Sequence, residues 1–172
     1  HLLVKKGKEA IGPVHGFLQE VSGEPVLQAR ALWVLAQISE QGEQLVENFL
    51  HDEDEKLQVV AYRALRHADP MGTLARAKKY AESKNLFLRR EIAVSLHGIA
   101  FEDCSSILES LVDGYDGINR FYLEALGVAF HGKEKQVYDD LVSKRFPEPS
   151  SWAWKAKNLA WRLHTHRAIR DL

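Results

Sequence analysis

Cysteine occurs once, at Cys104, in a chain of 172 residues. That excludes an internal disulfide, a multi-cysteine zinc site and a haem attachment of the C-x-x-C-H type. Threonine occurs only at Thr73 and Thr165, and no segment alternates cleanly between apolar and polar residues. Strand signals are therefore poor. The uncharged apolar run around the first Trp covers only residues 31–36, far short of the ~18 that a membrane span needs. Charge of one sign is lacking too. Lys and Arg number 23, Asp and Glu 24, for a formal net charge of −1. A dedicated nucleic-acid binder carries a basic excess. A Gly-rich phosphate loop, a G-x-S-x-G elbow and an H-E-x-x-H pair are all missing. No catalytic, cofactor-binding or metal-ligating residue is assigned on these grounds, and no cofactor is expected.

What remains is ordinary globular material, 45% hydrophobic and 27% charged. The length predicts one domain, which can bury about 70% of its unfolded surface without a disulfide or metal. The chain opens at His1 with no Met, signal peptide or polybasic arm. It is therefore expected to be a segment of a longer protein.

The informative feature is repetition. Arg30-Ala31-Leu32, Arg63-Ala64-Leu65, Val94-Ser95-Leu96, Glu124-Ala125-Leu126 and Leu159-Ala160-Trp161 share a small residue followed by a large apolar one. The small residues are spaced 33, 31, 30 and 35 apart. A period of about 30–35 residues fits a solenoid of helix pairs. Apolar positions at i, i+3, i+4 and i+7 predict second helices over 26–38, 57–68, 86–100, 118–130 and 152–163. Shorter, more polar first helices are predicted over 9–20, 43–50, 71–82, 104–112 and 133–144, and a further helix begins in 166–172. The repeats then run approximately 8–40, 41–69, 70–101, 102–132 and 133–165 within a single domain.

The boundary residues agree. Pro25 suits a first helical position, and Asp69-Pro70 reads as an N-cap followed by such a Pro. Ser151 is placed to cap a helix starting at Trp152, and the acidic run 52–55 precedes a helix N-terminus. Gly132 suits a left-handed C-cap, and Asp116-Gly117 a turn.

In the third unit Leu88-Arg89 stands six and seven residues ahead of Ser95-Leu96. In the second, Leu57-Gln58 precedes Ala61 and Ala64-Leu65, with Gln58 where Arg is usual. With these residues the chain resembles a HEAT-like repeat array of the short-period type called PBS-lyase HEAT-like. The first, fourth and fifth units lack the arginine. The resemblance implies an all-α fold, a right-handed α-solenoid of about five helix pairs, HEAT/armadillo-like. Residues 116–127 and 152–164 are similar to the HEAT section of large bacterial multidomain proteins of the membrane-bound-dehydrogenase type. That resemblance implies a spacer between a sugar-dehydrogenase-like propeller and a c-type cytochrome domain, outside the cytoplasm. Without that parentage the location is cytoplasmic. Two other roles known for HEAT-like chains, a DNA glycosylase and a bilin-lyase-like adaptor, are alternatives.

The remaining candidates are weighed by position. Arg63, Arg66, Arg89, Arg90, Arg120 and Arg162, with Trp152 and Trp154, make a possible interaction surface. Structural pairing of the arginines is the competing reading, and charge by section favours it: −2 over residues 1–50, +2 over 51–100 and −1 over 101–172. Trp154 and Trp161 are seven residues apart on one helix face and are expected to fill the last inter-helix layer. His67, His97, His131 and His164 fall late in the second helices. Measured from the small residues their offsets differ, which predicts different faces and no shared metal site. Cys104 is expected to be a half-buried or exposed thiol at a helix start. Glu102-Asp103 and Asp139-Asp140 are sequence neighbours, so on a helix they point about 100° apart and form no acid–base pair. The partner expected is a protein or a neighbouring domain, with no nucleic acid and no membrane span.

Overall fold

The computed structural model describes residues 2–172. It is all-helical, with no strand among the described residues. Cα packing divides the chain into two compact units, one ending at Thr73 and the other running from Leu74 to Leu172.

In the first unit, α1 (Leu2–Lys6) passes through a 3-10 turn (Gly7–Ala10) into α2 (Ile11–Glu20). Then come α3 (Pro25–Ile38), α4 (Glu40–Glu47) with a 3-10 extension (Asn48–His51), and α5 (Glu55–Ala68). α3 is the hub and packs against α1, α2, α4 and α5. Pro25 opens α3 as expected, because a first-turn N–H has no intrahelical acceptor to lose. Asp54 caps α5 by accepting the Lys56 N–H at 2.8 Å. Leu32, Leu35, Val46, Ala61 and Leu65 form a core without solvent contact.

In the second unit, α6 (Thr73–Tyr80) begins at the boundary and is followed by α7 (Leu86–Ser95), α8 (Phe101–Asp113) and α9 (Arg120–Phe130). A longer helical stretch runs from α10 (Glu134–Gln136) through a π-helical segment (Val137–Val142) to α11 (Ser143–Arg145). A 3-10 turn (Pro149–Ser151) leads to α12 (Trp154–Leu163) and α13 (His166–Asp171). α7 packs on α9 and α9 on α12, while α8 touches α7, α9 and the π segment. Consecutive second helices thus lie side by side. Asn85 and Asn119 cap α7 and α9 by accepting backbone N–H groups two or three residues on. Asp116 Oδ1 accepts the Ile118 and Asn119 N–H groups at 2.8 Å, and Gly117 takes φ +84°.

Several expected boundaries move. α7 stops at Ser95, not at residue 100, and Gly98 follows at φ +76°. α6 starts at Thr73, so Pro70 is not its first residue. Asp69 Oδ1 instead accepts the Gly72 N–H at 3.0 Å in the preceding turn. Ser151 caps nothing: it lies in a 3-10 turn, and Ala153 is the N-cap of α12. α1 is an addition to the predicted set, and the helix predicted over 133–144 contains a π-helical segment.

Candidate interaction surface

α7, α9 and α12 each bury one stripe. On α9 it is Tyr122, Leu123, Ala125, Leu126, Ala129 and Phe130, and on α12 Ala156, Leu159, Ala160 and Leu163. The opposite stripe is solvent-facing and carries the same pattern on all three helices. Positions 0, 3, 7 and 10 read Phe87, Arg90, Val94, His97, then Phe121, Glu124, Val128, His131, then Trp154, Lys157, Trp161, His164. Steps of three and four residues keep the first three members on one face of their helix, and the histidines follow just past the helix ends. Each quartet therefore presents an aromatic ring, a charge, an apolar side chain and an imidazole in the same order.

Contacts between neighbouring helices place the rows side by side. The Arg90 guanidinium lies 5.8 Å from the Phe87 ring centroid and 5.3 Å from that of Phe121 on the next helix. The His97 and His131 rings stack at 5.5 Å with planes 11° apart. Trp161 and His164 meet at 5.3 Å. The apolar members are well exposed, with Phe121 at 69%, Trp154 at 75% and Trp161 at 53%. Between α9 and α12 a recess of about 410 Å³ is lined by Ile118, Leu123 and Trp161, with Arg120 and Glu124 among its polar walls.

This alters two expectations. Trp154 and Trp161 do not fill an inter-helix layer. The packed tryptophan is Trp152, 7% exposed, whose Nε1 donates to the Phe146 carbonyl at 2.9 Å. The histidines of the second unit share a face, because the small residues used to align them are not equivalent positions: Ser95, Ala125 and Ala160 stand 8, 4 and 6 residues into their quartets.

The arginines divide into inner and outer sets. Arg89 lies over the Tyr122 ring at 5.3 Å and against Gly114, where an added Cβ would come within 1.9 Å of its Nη1. Arg162 lies against Gly127 in the same way, its Nε 3.2 Å from Glu124 Oε2. Arg120 reaches the same carboxylate at 3.9 Å, so Glu124 is shared by two cations. Arg90 has no carboxylate or carbonyl partner among the described residues, and its Nε is buried without a hydrogen bond. In the first unit Arg63 and Arg66 line a separate recess of about 320 Å³ with Trp33, His67 and Pro70.

Around the foot of α9, the Lys155 Nζ donates to the Asp113 carbonyl at 2.9 Å. Burial holds its pKa below the usual lysine value against the opposing pull of Asp113. Asp116 is held below the usual carboxylate range by the two backbone N–H groups it accepts. Cys104 is completely buried, correcting the expected half-exposed thiol. Its Sγ donates to the Ala100 carbonyl at 3.2 Å, and desolvation pushes its pKa up. A low-pKa, accessible nucleophile has the opposite surroundings.

A recess of about 760 Å³ lies beside α13 and is lined by His164, His166, Arg167 and Arg170 with Lys135 and Asp139. Asp139 binds Lys135 at 2.8 Å and Arg167 at 2.9 Å. Among the described residues no group of three His, Cys, Asp or Glu is placed to hold a metal ion. No described helix is long and apolar enough to cross a membrane. Comparison with protein-family models, with curated proteins and with solved structures finds no match.

Proposed function

We propose that this chain is a non-catalytic helical-repeat scaffold that docks a protein, or a neighbouring domain of its own polypeptide. The finer architecture belongs to the same proposal: a right-handed α-solenoid of about five pairs, HEAT-like, in which second helices line the binding side. One observation carries it. Three successive second helices repeat the order aromatic, charged, apolar, histidine on their exposed face. The core has no use for these side chains, and large rings in a row on a soluble surface mark a place where another surface is covered. A repeat array provides such a surface without a pocket, since each pair rests only on its neighbours.

A photo-crosslinking amino acid tests this in the cells the chain comes from. Placed at Phe121 or Trp161, it should yield one discrete adduct, mapped by mass spectrometry to a single polypeptide segment. Placed at exposed Ser106 on α8, it should not. Equal labelling from both faces, or no adduct from either, overturns the proposal.

A further inference from the structure

We infer that the segment docked on α7, α9 and α12 is acidic and extended, with two carboxylates about six residues apart and apolar side chains between and beside them. The inference rests on the docking function proposed above and adds the chemistry of the partner.

It follows first from charge. The charged row of the face is Arg90, Glu124, Lys157. Glu124 is already held by Arg120 and Arg162. Arg90 and Lys157 have no carboxylate partner among the described residues, so the two ends of the row are cationic, while its centre presents a carboxylate that two arginines already engage. Arg90 is also pre-oriented. Its guanidinium lies 5.8 and 5.3 Å from the Phe87 and Phe121 ring centroids, and its two Nη groups, unlike the buried Nε, remain open to a planar carboxylate. Two-pronged pairing of this kind selects carboxylate geometry as well as charge.

Spacing follows from geometry. Packed helices lie about 8–10 Å apart. An extended chain advances about 3.3 Å per residue. A ligand crossing the helices therefore meets the same row about every three residues, and Arg90 and Lys157 are two helices apart. Its first and last contacts with the charged row fall about six residues from one another. The central contact falls at Glu124, where a third carboxylate would face a carboxylate whose two arginines are already engaged. Apolar side chains of the ligand find Phe121, Val128 and Trp161, and the recess beside Ile118 and Leu123 admits one of them.

Single-stranded nucleic acid also uses rings and cations. Here the carboxylate of Glu124 sits in the middle of the path, and section charge over 101–172 is −1. A phosphate chain, charged at every step, is the poorer fit.

Fluorescence anisotropy with defined probes decides it. The test ligand is a labelled twelve-residue peptide with Glu at positions 3 and 9, Leu at 4, 7 and 10, and Ser elsewhere. The comparison probes replace both Glu by Lys, replace all Leu by Ser, or are a twelve-base oligothymidylate. The acidic apolar peptide should bind at least tenfold more tightly than each comparison. Arg90→Gln should weaken it about tenfold, whereas Arg170→Gln on α13 should leave it unchanged. The conservative Arg90→Lys, which keeps the charge without the fork, should recover only part of the loss. Circular dichroism on each variant checks that the helices persist. Equal binding of the Glu and Lys peptides, or no effect of Arg90→Gln, overturns the acidic assignment. So does preference for the oligonucleotide, or no binding of any probe. None of these results removes the crosslink expected at Phe121, which tests the docking function separately.

Discussion

At the scale of single residues, close approach and burial set the sensitive positions. Gly42 lies on α4 where it meets α3. A Cβ there would stand 2.1 Å from the Leu35 carbonyl oxygen and 3.0 Å from its carbonyl carbon. Backbone cannot swing aside as a side-chain tip can, so the two helices must separate. Gly42→Ala should destabilise the protein by about 1–3 kcal/mol despite Ala being the better helix former. Gly16 in the middle of α2 has nothing within 4 Å of the same atom. Gly16→Ala should stabilise by about 0.5–1 kcal/mol. Thermal melts of the two variants should therefore move in opposite directions, and a shared direction refutes the close-packing account. Tyr122 sets a pH limit. Its hydroxyl donates to the Leu111 carbonyl at 2.9 Å, and burial raises its pKa from 10.0 to about 12 against the pull of Arg89. The folded state thus prefers the neutral phenol. Its contribution is complete below pH 10, the unfolded value, and is lost as pH climbs towards 12. Tyr138 adds to the same trend, since burial and its hydrogen bond to Asp171 also raise its pKa. Melting temperature should fall between pH 10 and 12. Tyr122→Phe should be less stable at neutral pH, having lost a buried hydrogen bond worth about 1 kcal/mol, yet show a shallower alkaline decline. A parallel decline would assign the pH limit to other groups.

At the scale of the element, local chemistry was readable wherever one residue type solves one backbone problem. Pro25, Asp54, Asp116-Gly117 and Gly132 are where their capping and turn preferences put them. The i, i+3, i+4, i+7 stripes locate every second helix because a buried stripe must recur at the helical period. Features that depend on tertiary packing were not readable. The π segment buries Val137, Tyr138, Leu141 and Val142 together. Its widened turn leaves the sequence pattern almost unchanged from that of an α-helix. Ser151 is a good capping residue, but Pro147 and Pro149 precede it and the chain turns once more before α12 begins. The exposed quartets had a signal that was available: steps of 34 and 33 residues join Phe87, Phe121 and Trp154. The small core residues hide it, because they slide by up to four positions from one helix to the next. Alignment on exposed residues recovers the order, since interhelical contacts between Arg90 and Phe121, and between His97 and His131, require equivalent heights on the two helices.

At the scale of the whole molecule, a net charge of −1 conceals a row with cationic ends, because its one carboxylate, Glu124, is engaged by Arg120 and Arg162. The same separation divides residues that hold the second unit together from residues that it displays. On α12 the two sets alternate. Ala156, Leu159, Ala160 and Leu163 are buried, and Asn158 Nδ2 donates to the Gly117 carbonyl at 2.8 Å. Trp154 and Trp161 are exposed. Ending the chain at residue 145 removes α12, α13 and the buried Trp152 and Ala168. It uncovers the apolar side of α9 and the π segment and takes Asp171 from Tyr138. At roughly 25 cal/mol per Å² of apolar surface, loss of a whole packed helix exceeds the stability margin of a small unit. The shortened chain should elute as aggregate and bind a hydrophobic dye. A soluble, monomeric and fully helical product would mean that α12 is not part of the core. The double variant Trp154→Ser, Trp161→Ser removes two large exposed rings, yet should keep its helix content with melting temperature nearly unchanged. If it instead unfolded, the exposed row would be a stability feature and the docking surface would lose its physical basis.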